Sequence, residues 1–165
     1  MNDLLDDILI FLIRDLNTLA RELELFPGED KIWETPKGVT NSAGTLALHA
    51  CGNLRHYIGA ILGNSGYVRD RPAEFETRAL SRQELLAEID STLTDLRAAV
   101  PALDPSVLDT PFPQAIGAVN IVTHRFLIHL CTHLAFHVGQ VGYLRRLMTG
   151  DSTVAGAVSV QPLAA

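Results

Sequence analysis

Leu5, Ile8, Leu12, Leu16, Leu19, Leu23 and Phe26 recur at spacings of three and four near the start of the chain. That is the period of an α-helix that hides one stripe, and it does not suit a strand, whose period is two. A helix from Asn2 to about Leu25, stopped by Pro27-Gly28, is therefore expected. A buried stripe needs something apolar to lie against, so the rest of the chain must supply matching elements. Leu4, Leu9 and Phe11 fall off the stripe and widen the apolar arc enough to meet another subunit, so a homodimer is expected.

Later segments repeat the pattern. Glu29 to Asn41, with Trp33, Pro36 and Gly38, has no period and reads as an ordered crossing loop. A second helix takes Asn41 or Ser42 as its cap, runs to about Leu62 and ends at Gly63-Asn64-Ser65-Gly66. Its inward face carries Leu46, His49, Asn53, Tyr57, Ala60 and Ile61, while His56, beside Arg55, approaches solvent. Gly66 to Thr77 is polar and unperiodic, a long loop over one end of the molecule. Ser81 stands three residues before Glu84, a capping box for a third helix from Arg82 to about Val100. Its stripe is Leu85, Ile89, Leu93, Leu96 and Val100, and Pro101 stops it. Ala102 to Gln114 holds Pro105, Pro111 and Pro113 and forms a second crossing loop. The fourth and longest helix starts between Ala115 and Ile121 and reaches about Met148, ended by Gly150.

The expected fold is all-α: a four-helix bundle with long crossing loops, one domain over residues 1–150. A tail over residues 151–165 follows, extended or poorly ordered from Thr153 onward. At 165 residues one core suffices. A formal charge of −6 without any Lys/Arg-rich run excludes nucleic acid as a partner. Asp6, Asp7, Arg14 and Asp15 interrupt the N-terminal apolar run, and Asp3 precedes it, so it is neither a secretory signal nor a membrane span. Cys51 and Cys131 are too few for a disulfide framework and sit in apolar helices, which fits a reducing cytoplasm.

Chemistry concentrates in the fourth helix. His129, His133 and His137 recur every four residues within an apolar segment, and buried imidazoles need a partner that offsets their desolvation. Two imidazoles at i and i+4 can bind one ion without distorting the backbone. Each four-residue step drifts by roughly 40°, so all three cannot point at one ion from a straight helix. One must stand aside, and a ligand must come from another helix. In bundles such sites are built from inward side chains on facing helices, and His49 is suited to converge with His133 and His137. Taken alone, His49 reads first as a core histidine bonded to a carbonyl, and His124 as a surface or loop-facing residue. Asn53 and Tyr57 read as hydrogen-bonded core groups or as pocket lining. Gln140 reads as a partner of a ligand imidazole or of a helix, and Gly139 as a point of close approach.

The string HLCTHLAFHVGQVGYL resembles the final-helix motif of the DinB-like (DinB/YfiT-like) superfamily of small four-helix-bundle metalloproteins, in which an H-x3-H pair just before Gly-Gln supplies two metal ligands. Ser42 to Arg55 resembles the second-helix segment that supplies the third. Carried over by position, the resemblance implies His49, His133 and His137 as metal ligands. His129 matches no ligand position and is compatible with a supporting role outside the coordination sphere, as are Gln140, Asn53 and Tyr57. Val138 departs from the Arg that many members carry there. Three neutral imidazoles leave an ion at least one open position, the arrangement of catalytic sites. Zinc or nickel, with iron as a further candidate, would suit such a donor set. The resemblance implies a small-molecule substrate and a thiol-dependent S-transferase using a low-molecular-weight thiol such as bacillithiol or mycothiol. The alternatives are a metal-dependent hydrolase, which lacks a Glu or Asp beside the fourth-helix histidines, and a non-enzymatic metal-binding dimeric protein.

Overall fold

The computed structural model describes residues 3–156 and 159–163. Among these the chain is all-α, with two isolated β-bridges and no strand. Its helices are α1 (Asp3–Glu24), α2 (Glu29–Trp33), α3 (Ala43–Leu54), α4 (Arg71–Glu76), α5 (Arg82–Ala99) and α6 (Thr123–Thr149). A π-helical stretch, Arg55–Leu62, runs on directly from α3. Four long pieces, α1, α3 with its π extension, α5 and α6, form the bundle. The leucine stripe of α1 is wholly buried, and it packs chiefly on α6 and α5. Asn2, the expected start of α1, lies outside the described residues.

Caps fix the ends of the elements that carry the site. Ser42, rather than Asn41, accepts the Thr45 N–H at 3.1 Å and starts α3. The capping box of α5 is complete: Glu84 N–H donates to Ser81 Oγ (3.2 Å), and Ser81 N–H donates to the Glu84 carboxylate (2.8 Å). Gly150 closes α6 in the left-handed region at φ 70°, where a glycine carries no Cβ penalty.

Four features depart from the sequence-based expectation. The first crossing loop contains α2, which buries Ile32. The long polar loop contains α4, with Asp70 as its cap and Glu74 buried. Both are shorter than two turns, so neither can show a helical period. The end of the second helix is π-helical, with Gly63 N–H donating to Ile58 O at 2.9 Å, an i→i−5 bond. It is held to α5 at its start, where Arg55 donates to Asp95 (2.9 Å) and Glu88 (3.0 Å). Finally, α6 begins at Thr123, later than expected, because residues 111–122 spend their backbone bonds on one another. Phe112 N–H donates to Ile121 O at 2.8 Å, and Ile116 and Val119 pair around Gly117.

The described part of the tail is held in place. Arg145, fully buried on α6, donates to Glu22 of α1 (2.5 Å), to Asp151 O (3.2 Å) and to Thr153 O. Gln161–Leu163 forms a 3-10 turn. Residues 157, 158, 164 and 165, also expected to be extended or poorly ordered, lie outside the described residues. No helix among the described residues is long and apolar enough to cross a membrane.

Candidate metal centre

Helix α3 buries His49, and α6 brings His133 and His137 one turn apart on its facing side. One nitrogen from each ring lies within 4.8 Å of the other two. The Nε2 atoms of His133 and His137 are 3.0 Å apart, close enough for both to reach one ion. The His49 ring stands edge-on to both, with centroids at 5.2 and 5.3 Å.

What faces away from the cluster decides what faces into it. His137 Nδ1 lies 2.7 Å from Gln140 Oε1, which can only accept, so Nδ1 holds the proton and Nε2 presents its lone pair. His49 Nδ1 lies 2.9 Å from Glu74 Oε2 and is protonated for the same reason. Glu74 is in turn gripped by Arg69, whose Nε donates to Oε1 (2.6 Å) and Nη2 to Oε2 (2.9 Å). Burial raises the Glu74 carboxyl, but hydrogen bonds from His49 and Arg69 outweigh this and hold it below the usual carboxylate range. Burial, followed by the neighbouring His137, His49 and His129, pushes the His133 imidazole down to about 4. Burial lowers His137 too, against a smaller opposing effect from Gln140. The imidazoles of His133 and His137 are therefore neutral at physiological pH, the state a metal ligand requires. An all-imidazole donor set fits zinc, nickel, iron or copper and does not fit calcium or magnesium, which take oxygen.

The remaining candidates take different places. His129 is exposed, stacks on Phe126 with centroids 6.0 Å apart, and meets the cluster through its ring contact with His133 at 5.9 Å. Tyr57 packs edge-on against Phe126 and Phe112, and the Arg69 guanidinium lies 5.8 Å from its ring centre. Asn53 Oδ1 is buried without a hydrogen-bond partner among the described residues. His124 Nδ1 lies 2.9 Å from Leu108 O in the loop before α6. Gly139 is exposed, and a Cβ there would meet nothing within 4 Å, so the close approach expected at that glycine does not occur. Both cysteines are free, and burial pushes each thiol up to about 12.

Glu74 and Arg69 are the site residues that periodicity missed. A start signal was present in Asp70-Arg71-Pro72, a capping residue followed by proline at the head of a helix. Even so, no local pattern shows that Glu74 ends up against His49.

The family model described as "Protein of unknown function (DUF1572)" matches residues 10–159. No curated protein matches the chain.

Proposed function

The chain belongs to this family of proteins of unknown function, DUF1572, and from that premise we propose that it is a metal-dependent small-molecule enzyme of DinB-like type, a thiol-dependent S-transferase built on His49, His133 and His137. The observation that carries this reading is the convergence of three imidazoles from two helices, two of them with Nδ1 pinned outward by Gln140 and Glu74. A zinc, nickel or iron ion held there would acidify a thiol and so supply a nucleophile near neutral pH.

The chain's own residues set the rest. His49, His133 and His137 would hold the ion, while Glu74 and Gln140 keep two of the rings turned correctly. Phe75, 5.0 Å from His49 between ring centroids, shields that ring. Neither Cys51 nor Cys131 belongs to the histidine cluster, and burial pushes both thiols up to about 12, which supports a thiol drawn from outside the chain. Glu74, the carboxylate that reaches the cluster, is fully engaged by His49 and Arg69. It is not free to take a proton from water, which favours thiol transfer over hydrolysis. Ile10, Phe11 and Ile128 leave apolar surface on α1 and α6, which supports a homodimer.

Elemental analysis of the purified wild type and of His133→Ala comes first, with stoichiometric metal expected only in the former. The loaded protein is then offered a low-molecular-weight thiol and a chloro-aromatic acceptor. The expected reaction forms a carbon–sulfur bond, releases chloride and a proton, and is lost in His49→Ala. A rate independent of thiol, or unchanged in His49→Ala, would overturn the transferase. Strong chelator sensitivity of the melting temperature with no exchangeable position on the ion would favour the non-enzymatic metal-binding protein.

A further inference from the structure

Glu74 reaches His49 because position 52 has no side chain. Gly52 lies three residues beyond His49 on α3, and the Glu74 side chain is laid directly over it. A Cβ built on Gly52 would stand 2.8 Å from the Glu74 Cδ and closer still to Oε1, so any other residue there displaces the carboxylate. Room to receive it exists, because Gly52 and Glu74 both line a cavity of about 220 Å³ with Tyr67, Asp70, Ala73 and Thr77. The carboxylate can therefore swing aside without opening the bundle.

Besides Glu74, His49 Nδ1 has Arg69 Nη2 at 3.5 Å, and this contact remains when the carboxylate is displaced. A guanidinium can only donate, so Nδ1 would become an acceptor and the imidazole proton would move to Nε2. That is the nitrogen left to face the cluster, and a protonated nitrogen cannot ligate. We propose that Gly52, by seating Glu74 between His49 and Arg69, selects the tautomer in which His49 offers a lone pair to the cluster. Gly52, Glu74 and Arg69 are thus positioning residues. The consequence for ion binding rests on the metal reading above, but the tautomer does not.

The test uses the metal-free full-length chain with 15N-labelled histidine at one alkaline pH, where long-range proton–nitrogen NMR identifies the protonated ring nitrogen. Wild type is expected to show Nδ1–H at His49, and Gly52→Ala a shift to Nε2–H with unchanged helical circular dichroism. Zinc titrated against a competing chelator should bind Gly52→Ala about 10–100-fold more weakly. Glu74→Gln keeps an acceptor oxygen and should retain the wild-type tautomer and affinity. Should Gly52→Ala fail to fold, Glu74→Ala removes the acceptor without touching α3 and should give the same two readouts. Retention of Nδ1–H and of wild-type zinc affinity in the displacing variant overturns the proposal, as does a Glu74→Gln protein as impaired as Glu74→Ala. If wild type shows the Nδ1–H tautomer and Gly52→Ala the shift, yet neither takes up zinc, the positioning stands and the metal reading falls. If zinc binds wild type and Gly52→Ala equally, the metal reading stands and the positioning falls.

Discussion

Glu22 and Arg145 meet at 2.5 Å across the seam between α1 and α6, both closed off from solvent. A buried pair is weak evidence of net stabilisation, but removing one partner leaves an uncompensated charge. Glu22→Ala should therefore cost about 3–5 kcal/mol, read from the urea midpoint. Gly142→Ala probes the same contact, since its Cβ would meet Glu22 Oε1 at 2.9 Å. A loss below about 1 kcal/mol in Glu22→Ala would mean that Arg145 is satisfied by the tail carbonyls and Asp151 alone.

Acid should destabilise the metal-free protein through His133. Its folded imidazole is lowered to about 4 from an ordinary value of 6.5, so between these limits the unfolded chain binds more protons. Stability is expected to be level above about pH 6.5 and to fall as pH drops toward about 4. Urea midpoints between pH 7.5 and 5 would show this while Glu74, lowered below its ordinary range, stays ionised. The slope should be smaller in His133→Ala. A flat wild-type profile would contradict the assignment.

Removing the amide that holds His137 should weaken metal binding. Gln140→Ala removes the acceptor that keeps the proton on Nδ1, so the proton can move to Nε2 or the ring can rotate, and a loss of about 10–100-fold in affinity for zinc is expected from competition titration. The folded stability of the metal-free protein should change little, because Gln140 is only half-buried. Equal zinc affinity in the variant would show that packing alone orients the ring.

The cap at the head of α5 should be separable from the site. Ser81→Ala removes the acceptor for the Glu84 N–H and should cost about 1 kcal/mol of stability, read as a shift in the denaturant midpoint. Metal affinity should not move, since Ser81 touches none of the three histidines.

How far the sequence spoke depended on whether the signal was local. The α1 stripe from Leu5 to Phe26 and the Ser81/Glu84 box are patterns within a few residues, and the structure follows them. That His49 could converge with histidines of the last helix was legible because each lies on a long periodic helix, while the choice of His133 and His137 over His129 came from the resemblance of the two motifs. Glu74 was not, because α4 has six residues and its contact partner lies 25 residues away. Nor was the π-helical stretch, since its apolar residues fit an ordinary helix and only the backbone bonding differs. The late start of α6 had the same cause: Phe112 and Ile121 pair through backbone atoms that no side-chain pattern reports.

One consequence concerns the order in which the cluster comes into being. His133 and His137 are neighbours on a single turn and meet as soon as that turn forms, whereas His49 joins them only when α3 docks on α6 across most of the chain. Once that turn has formed the chain offers a two-point chelator, and the three-point one exists only after long-range closure, the slow part of folding. An ion that needs all three imidazoles could be held only after the bundle has closed, because the third nitrogen is not in place while the chain is being synthesised.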